Sequence, residues 1–154
     1  MWEKLRRFSA LDLTAQGLFL RALIMLPLVS LRLKLRGLRN TQVALQMRAS
    51  NSIPELSADF VKTRATLTAH MVNSADRHGF VHPSCLAKSL TLRWLLARQG
   101  ITSDLRIGIR KQDNQFEAHA WVERDGVAIS EPEEHHRHYD AFDEAFSSTP
   151  EQDR

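Results

Sequence analysis

At Gly100 the hydrophobic period of this 154-residue chain changes, and that change constrains its fold more than any other feature. Before it, Cys85-Leu86-Ala87-Lys88-Ser89-Leu90-Thr91-Leu92-Arg93-Trp94-Leu95-Leu96 is an apolar, helix-like run. The helix should open at Pro83 or Ser84 and close at Gly100, a normal helix-terminating residue. After it, Leu105, Ile107 and Ile109 alternate with Arg106, Gly108 and Arg110, so 104–110 reads as a strand. Lys111-Gln112-Asp113-Asn114 turns, 115–123 is a second strand, Arg124-Asp125-Gly126 turns again, and 127–131 is a third. A helix followed by an antiparallel meander is an α+β arrangement.

Upstream the pattern is helical. Ser9-Ala10-Leu11-Asp12 fits a capping box with Asp in place of Glu or Gln. A helix should start near Leu11 and run past Leu20, with Pro27 kinking or ending it and Gly37 and Asn40 as break points. Asn51-Ser52-Ile53-Pro54 reads as a loop and then a helix start. Leu56, Phe60, Leu67 and Met71 recur on one face of a helix reaching about Ser74. Residues 77–84 connect it to the Cys85 helix. The tail from Pro132 is polar and acidic, with a short helix expected around Asp140–Phe146. The chain therefore divides into a helical region, 1–76, and a core, 77–154, within one compact unit.

One cysteine excludes an internal disulfide, so the fold needs no oxidising compartment, and a reduced cytoplasm would suit a free thiol. Residues 1–40 carry net +6 and residues 131–154 net −6. Such ends are usually solvated faces; the basic one could also meet an acidic partner or a membrane surface. Nucleic acid has no motif behind it and is not expected. Leu18–Leu35 is greasy, but its longest charge-free run is Ala22–Leu31, ten residues, against the roughly 20 a membrane span needs. A buried or partner-facing helix is favoured; interfacial membrane contact is left open without being favoured.

Cys85 falls in the first turn of its helix. A core cysteine gains nothing there. A nucleophile gains the helix dipole and unpaired backbone N–H groups, and such a setting lowers a thiol pKa from about 8.5 to roughly 3.5–7.5. The N–H of Cys85 could itself serve an oxyanion hole. His119 lies between Ala118 and Ala120 on the second strand. The two alanines should face a closely packed element, such as the Cys85 helix, with His119 and Trp121 on the other face. Glu131 is the candidate to orient His119 as the third member of a triad. A two-residue Asp125-Gly126 turn would pair 124 with 127 and leave Glu131 on the opposite face. A three-residue loop with Gly126 at a left-handed bulge would set Glu131 beside His119, and that is the turn a triad requires. His135, His136 and His138 match no metal signature, so no metal or cofactor is expected. His82 could line a cleft beside the helix start, and His78 flanks it. Trp2, Leu5 and Phe8 form a packing stripe.

These residues resemble a known family. Cys85-Leu86-x-x-Ser89-Leu90-x-Leu92, Leu95-Leu96-x-x-x-Gly100-Ile101, Leu105-x-Ile107-Gly108, Ala118-His119-Ala120-Trp121-Val122-Glu123 and Gly126 are similar to the transglutaminase-like leader peptidases of lasso-peptide biosynthesis. The likeness is to the stand-alone catalytic half of a split B protein and is strongest over 80–131. It implies a papain/transglutaminase-like fold, with a nucleophile helix packed on an antiparallel sheet. It implies a cysteine peptidase with Cys85, His119 and Glu131 in catalytic roles and no cofactor. The substrate would be a leader–core precursor peptide. A separate leader-recognition protein would be needed, and an asparagine-synthetase-like cyclase would close the macrolactam after cleavage. Where the family usually carries Asp, this chain has Glu131, one methylene longer; where a basic residue follows Cys-Leu-x, it has Lys88, with a structural or leader-facing role. Transamidation on the same triad and a non-catalytic scaffold are the alternative readings.

Overall fold

The computed structural model describes residues 12–46, 57–112, 115–129 and 139–141. Among these, helices α1 (Leu13–Gln46), α2 (Ala58–His78) and α3 (Cys85–Ala97) precede strands β1 (Asp104–Gln112), β2 (Gln115–Arg124), β3 (Val127–Ala128) and β4 (Asp140–Ala141). The architecture is α+β. The strands form one antiparallel sheet in the order β3-β2-β1-β4.

Pro27 does not end α1. Its missing N–H costs one backbone bond, while Leu26 and Val29 on either side are buried and hold the helix to the core. The break comes at Gly37, where φ is 72° and ψ 178°, a conformation essentially reserved for glycine. Thr41 Oγ1 donates to the Gly37 carbonyl at 2.7 Å just beyond it. In α2 the buried face is Val61, Ala65, Thr68, Val72 and Ala75, with Ala69 and Met71 beside it. Phe60, expected on the packed face, is 48% exposed. The small residues prevail because they let α1 and α3 approach closely. The helix also runs four residues past Ser74, to His78. Leu56 lies outside the described residues.

Helix α3 starts where its sequence says. Ser84 is the N-cap, its Oγ accepting from the Ala87 N–H at 3.2 Å. A turn follows Ala97, and Gly100 takes φ 72° before Ile101 enters the core. One apolar cluster joins Leu18, Ala22 and Leu26 of α1, the small face of α2, Leu92, Leu95 and Leu96 of α3, and Val122 of β2. A second joins Val29, Ala87, Leu90, Leu105 and Ala120.

The sheet has two dissimilar faces. In the β1–β2 register Leu105 pairs with Val122, Ile107 with Ala120 and Ile109 with Ala118; the first two pairs of this inner face pack into the helical core, whereas Ala118, expected against a closely packed element, lies beyond α3 and is exposed. Arg106 pairs with Trp121, Gly108 with His119 and Arg110 with Glu117 on the outer face. Strand β4 adds to the other edge of β1, with Gly108 opposite Ala141 and Ile109 opposite Asp140. Asp140 and Ala141 are thus strand rather than the start of a helix, because the open edge of β1 supplies ladder partners that no local pattern advertises. Residues 142–146 lie outside the described residues.

Candidate active site

Cys85 is the first residue of α3 and is half-buried against the cluster of Ala87, Leu90, Leu105 and Ala120. One turn further, on the same side of the helix, Ser89 Oγ donates to the Ala120 carbonyl at 2.8 Å, a buried bond. The start of α3 is therefore tethered to β2 at the residue after His119. On the other flank Lys88 Nζ pairs with Asp76 Oδ2 at 3.1 Å, fixing the helix start to the end of α2. Lys88 thus has the structural role. The first N–H groups of α3 have no acceptor within the helix, so this end presents donors as well as the thiol.

His119 leaves β2 on the outer face and sits between two aromatic rings. The Trp121 ring is stacked, centroids 6.1 Å apart, and the Tyr139 ring is tilted at 5.3 Å. Gly108, opposite His119, makes room: a Cβ there would lie 3.0 Å from both the Trp121 ring and Tyr139 Cβ. Two ion pairs bracket the rings. Arg106 Nε donates to Glu123 Oε2 at 3.1 Å while Trp121 Nε1 donates to Glu123 Oε1 at 2.7 Å, which holds the indole. Arg110 Nε donates to Glu117 Oε2 at 2.8 Å, and the Arg110 guanidinium lies over the Tyr139 ring at 4.8 Å.

The electrostatics join these groups. The Arg110 hydrogen bond holds the Glu117 carboxyl below its usual range, with Tyr139 and His119 contributing less. The same bond raises Arg110. Partial burial raises the Tyr139 hydroxyl; Arg110 opposes this, while Glu117 and the Cys85 thiolate add to it. Tyr139 therefore lies within electrostatic reach of Cys85 and against the His119 ring.

A half-buried thiol at a helix start and a histidine on the strand tethered to that helix are two groups that cysteine acyl-transfer chemistry uses. A family model described as "Transglutaminase-like superfamily" matches residues 23–142, most of the chain. The chain belongs to the transglutaminase-like superfamily. Its members are in general cysteine proteases or transglutaminases. No match was found among curated proteins or among solved structures.

Within this transglutaminase-like frame the expected residues fare differently. Ala120 packs on the Cys85 helix as its alternation requires, and His119 occupies the other face with Trp121. The bulged three-residue turn is not the one formed. Asp125 (φ 52°) and Gly126 (φ 77°) make a two-residue turn pairing Arg124 with Val127 and Glu123 with Ala128. Positive φ at both central residues matches the right-handed strand twist, and Asp-Gly adopts it readily. The register that would set Glu131 beside His119 is thus not the hairpin's, and Glu131 itself lies outside the described residues. His135, His136, His138, Trp2, Leu5 and Phe8 also lie outside them. His78 and His82 are exposed, His78 Nδ1 lying 2.8 Å from the Ser74 carbonyl. Among the described residues no group of His, Cys, Asp and Glu could hold a metal.

The sequence reading missed Glu117, Tyr139, Gly108 and Arg110. Glu117 was within reach: it stands two residues before His119 and so shares its face. A tight 113–114 turn would also have paired Gly108 with His119. Tyr139 carried no signal, since a two-residue strand is too short to make a pattern.

Proposed function

We propose that this protein is a cysteine peptidase that removes the leader from a ribosomally made lasso-peptide precursor. The observation that carries the reading is the Ser89–Ala120 tether, which fixes the Cys85 end of α3 against the strand bearing His119. It gives a physical role to the Cys-Leu-x-x-Ser and Ala-His-Ala motifs together, and these motifs resemble those of the leader peptidases.

In this mechanism His119 takes the Cys85 proton and the thiolate attacks the carbonyl at the leader–core junction. The N–H of Cys85 holds the developing oxyanion. His119 returns the proton to the leaving amine, freeing the core peptide's N-terminus, and water then hydrolyses the leader thioester. Glu131 is the orienting acid that the resemblance implies, although the two-residue turn does not set it in register beside His119. Glu117, on His119's own face and paired with Arg110, supports a second assignment of that role. The core peptide passes to an asparagine-synthetase-like cyclase, and a separate recognition protein delivers the leader. The chemistry suits a reducing cytoplasm.

Mixing the protein with a leader–core precursor and a leader-recognition partner, and comparing wild type with Cys85→Ala by mass spectrometry, tests this. One cut with addition of water, lost in the variant, is the expected result. Loss of ammonia with a new amide would instead mean transamidation. An intact precursor together with slow alkylation of Cys85 would leave only the scaffold.

A further inference from the structure

Helix α1 is apolar on two sides, and the other described residues cover only one of them. Ala15, Leu18, Ala22, Leu26 and Val29 are buried against α2 and α3. Leu20, Ile24, Leu28, Leu31 and Leu35, with Leu13 two turns earlier, are between 49% and 82% exposed. At about 100° per residue this second row stays within roughly 40° of one line along the helix, on the side away from the buried row. It runs for about 33 Å at 1.5 Å per residue.

The charges say what such a ridge fits. The 34 residues of α1 hold Arg21, Arg32, Lys34, Arg36 and Arg39 and no acidic residue. Arg21 and Arg32 fall some 60–80° to one side of the ridge and Lys34 about 80° to the other, at the height where a long cationic side chain can reach headgroups while the leucines dip below. A second copy of the chain would set these cations against their equals. A partner helix of ordinary mixed charge would leave some of them unmatched. A continuous negative plane matches all of them. No described helix is long and apolar enough to cross a membrane, so the contact is in the plane of the surface.

We propose that the exposed Leu13–Leu35 ridge of α1 seats on an anionic lipid bilayer, leucines at the acyl boundary and flanking cations at the headgroups. Helices α2 and α3 pack on the opposite side of α1, so the Cys85 helix remains on the aqueous side. The site would then act on peptides at a membrane surface.

Flotation of the full chain with phosphatidylcholine–phosphatidylglycerol vesicles, and with phosphatidylcholine vesicles alone, tests this. Wild type should float with the first and not the second, and added salt should weaken binding. Arg21→Gln, Arg32→Gln and Lys34→Gln should each weaken it about fivefold. Ile24→Glu/Leu28→Glu/Leu31→Glu should abolish it while circular dichroism and melting stay near wild type, because all three side chains are exposed. Wild type remaining unbound with the anionic vesicles overturns the proposal. So does undiminished binding by the glutamate variant. A wild-type chain that ignores vesicles but self-associates, or binds an acidic amphipathic peptide, through the same leucines would assign the ridge to a protein partner instead.

Discussion

The two faces of the sheet share eighteen residues of β1 and β2 in continuous register, yet they are different materials. The inner face is small and aliphatic: Leu105, Ile107, Ala120 and Val122, closed by α3. The outer face is aromatic and charged: His119 between Trp121 and Tyr139, bracketed by Arg106–Glu123 and Arg110–Glu117. The contrast teaches a division of labour. The inner face fixes where the Cys85 helix lies, and its loss should cost stability. The outer face fixes the histidine's surroundings, and apart from the buried Trp121 its loss should cost rate while the fold survives.

The largest expected effect tests that division directly. Cys85→Ala or His119→Ala should lower precursor cleavage by about a thousandfold or more, with melting temperature nearly unchanged. A large drop in melting for His119→Ala would break the contrast. On the inner face, Leu105→Ala at a fully buried position should cost about 2–5 kcal/mol in denaturant unfolding. Ser89→Ala should fall between the two classes. It strips the Ala120 carbonyl of a buried donor, costing about 1–3 kcal/mol. If the tether positions the thiol, it should also slow Cys85 alkylation in protein that is still folded. Gly108→Ala should crowd the buried Trp121 ring and Tyr139 Cβ, reduce kcat by about tenfold in steady-state kinetics, and cost about 1–3 kcal/mol in unfolding.

The smallest effect concerns pH. The Glu117 pKa is lowered in the fold, so its contribution is present above the ordinary carboxylate range and is lost as pH falls through the depressed value. Glu117 is exposed and Arg110 half-exposed, so Glu117→Gln should barely change a melting curve at neutral pH. Comparing the pH–rate profiles of Glu117→Gln and Glu131→Gln sharpens the outer-face half of the contrast. Whichever variant moves the histidine limb of the profile identifies the orienting acid.

The inner face was largely legible in the sequence, because period 3.6 giving way to period 2 at Gly100 fixes both which elements meet and which side chains point inward. Ser84, Cys85 and Ala120 fell where that periodicity put them, but Ala118 is exposed, because alternation gives a side and not how far the helix reaches along it. Long helices were readable in extent but not in detail: Pro27 was absorbed by packing, and small residues displaced Phe60 from the α2 face. The outer face was less legible. Asp125-Gly126 suits two turns equally well as a dipeptide, and strand twist decides between them. Tyr139 reaches His119 only through β4, a pairing between segments about 30 residues apart that no local signal encodes.

Gly37 has a consequence for chirality. At φ 72° and ψ 178° it occupies territory that an L-residue enters only under strain, whereas the mirror-image residue finds there its own ordinary extended basin. A D-alanine installed at this position by chemical ligation should leave the break in α1 intact and narrow the unfolded ensemble, whereas L-alanine should strain it. The joint at the end of the leucine ridge is, in that sense, written in the opposite hand from the rest of the chain.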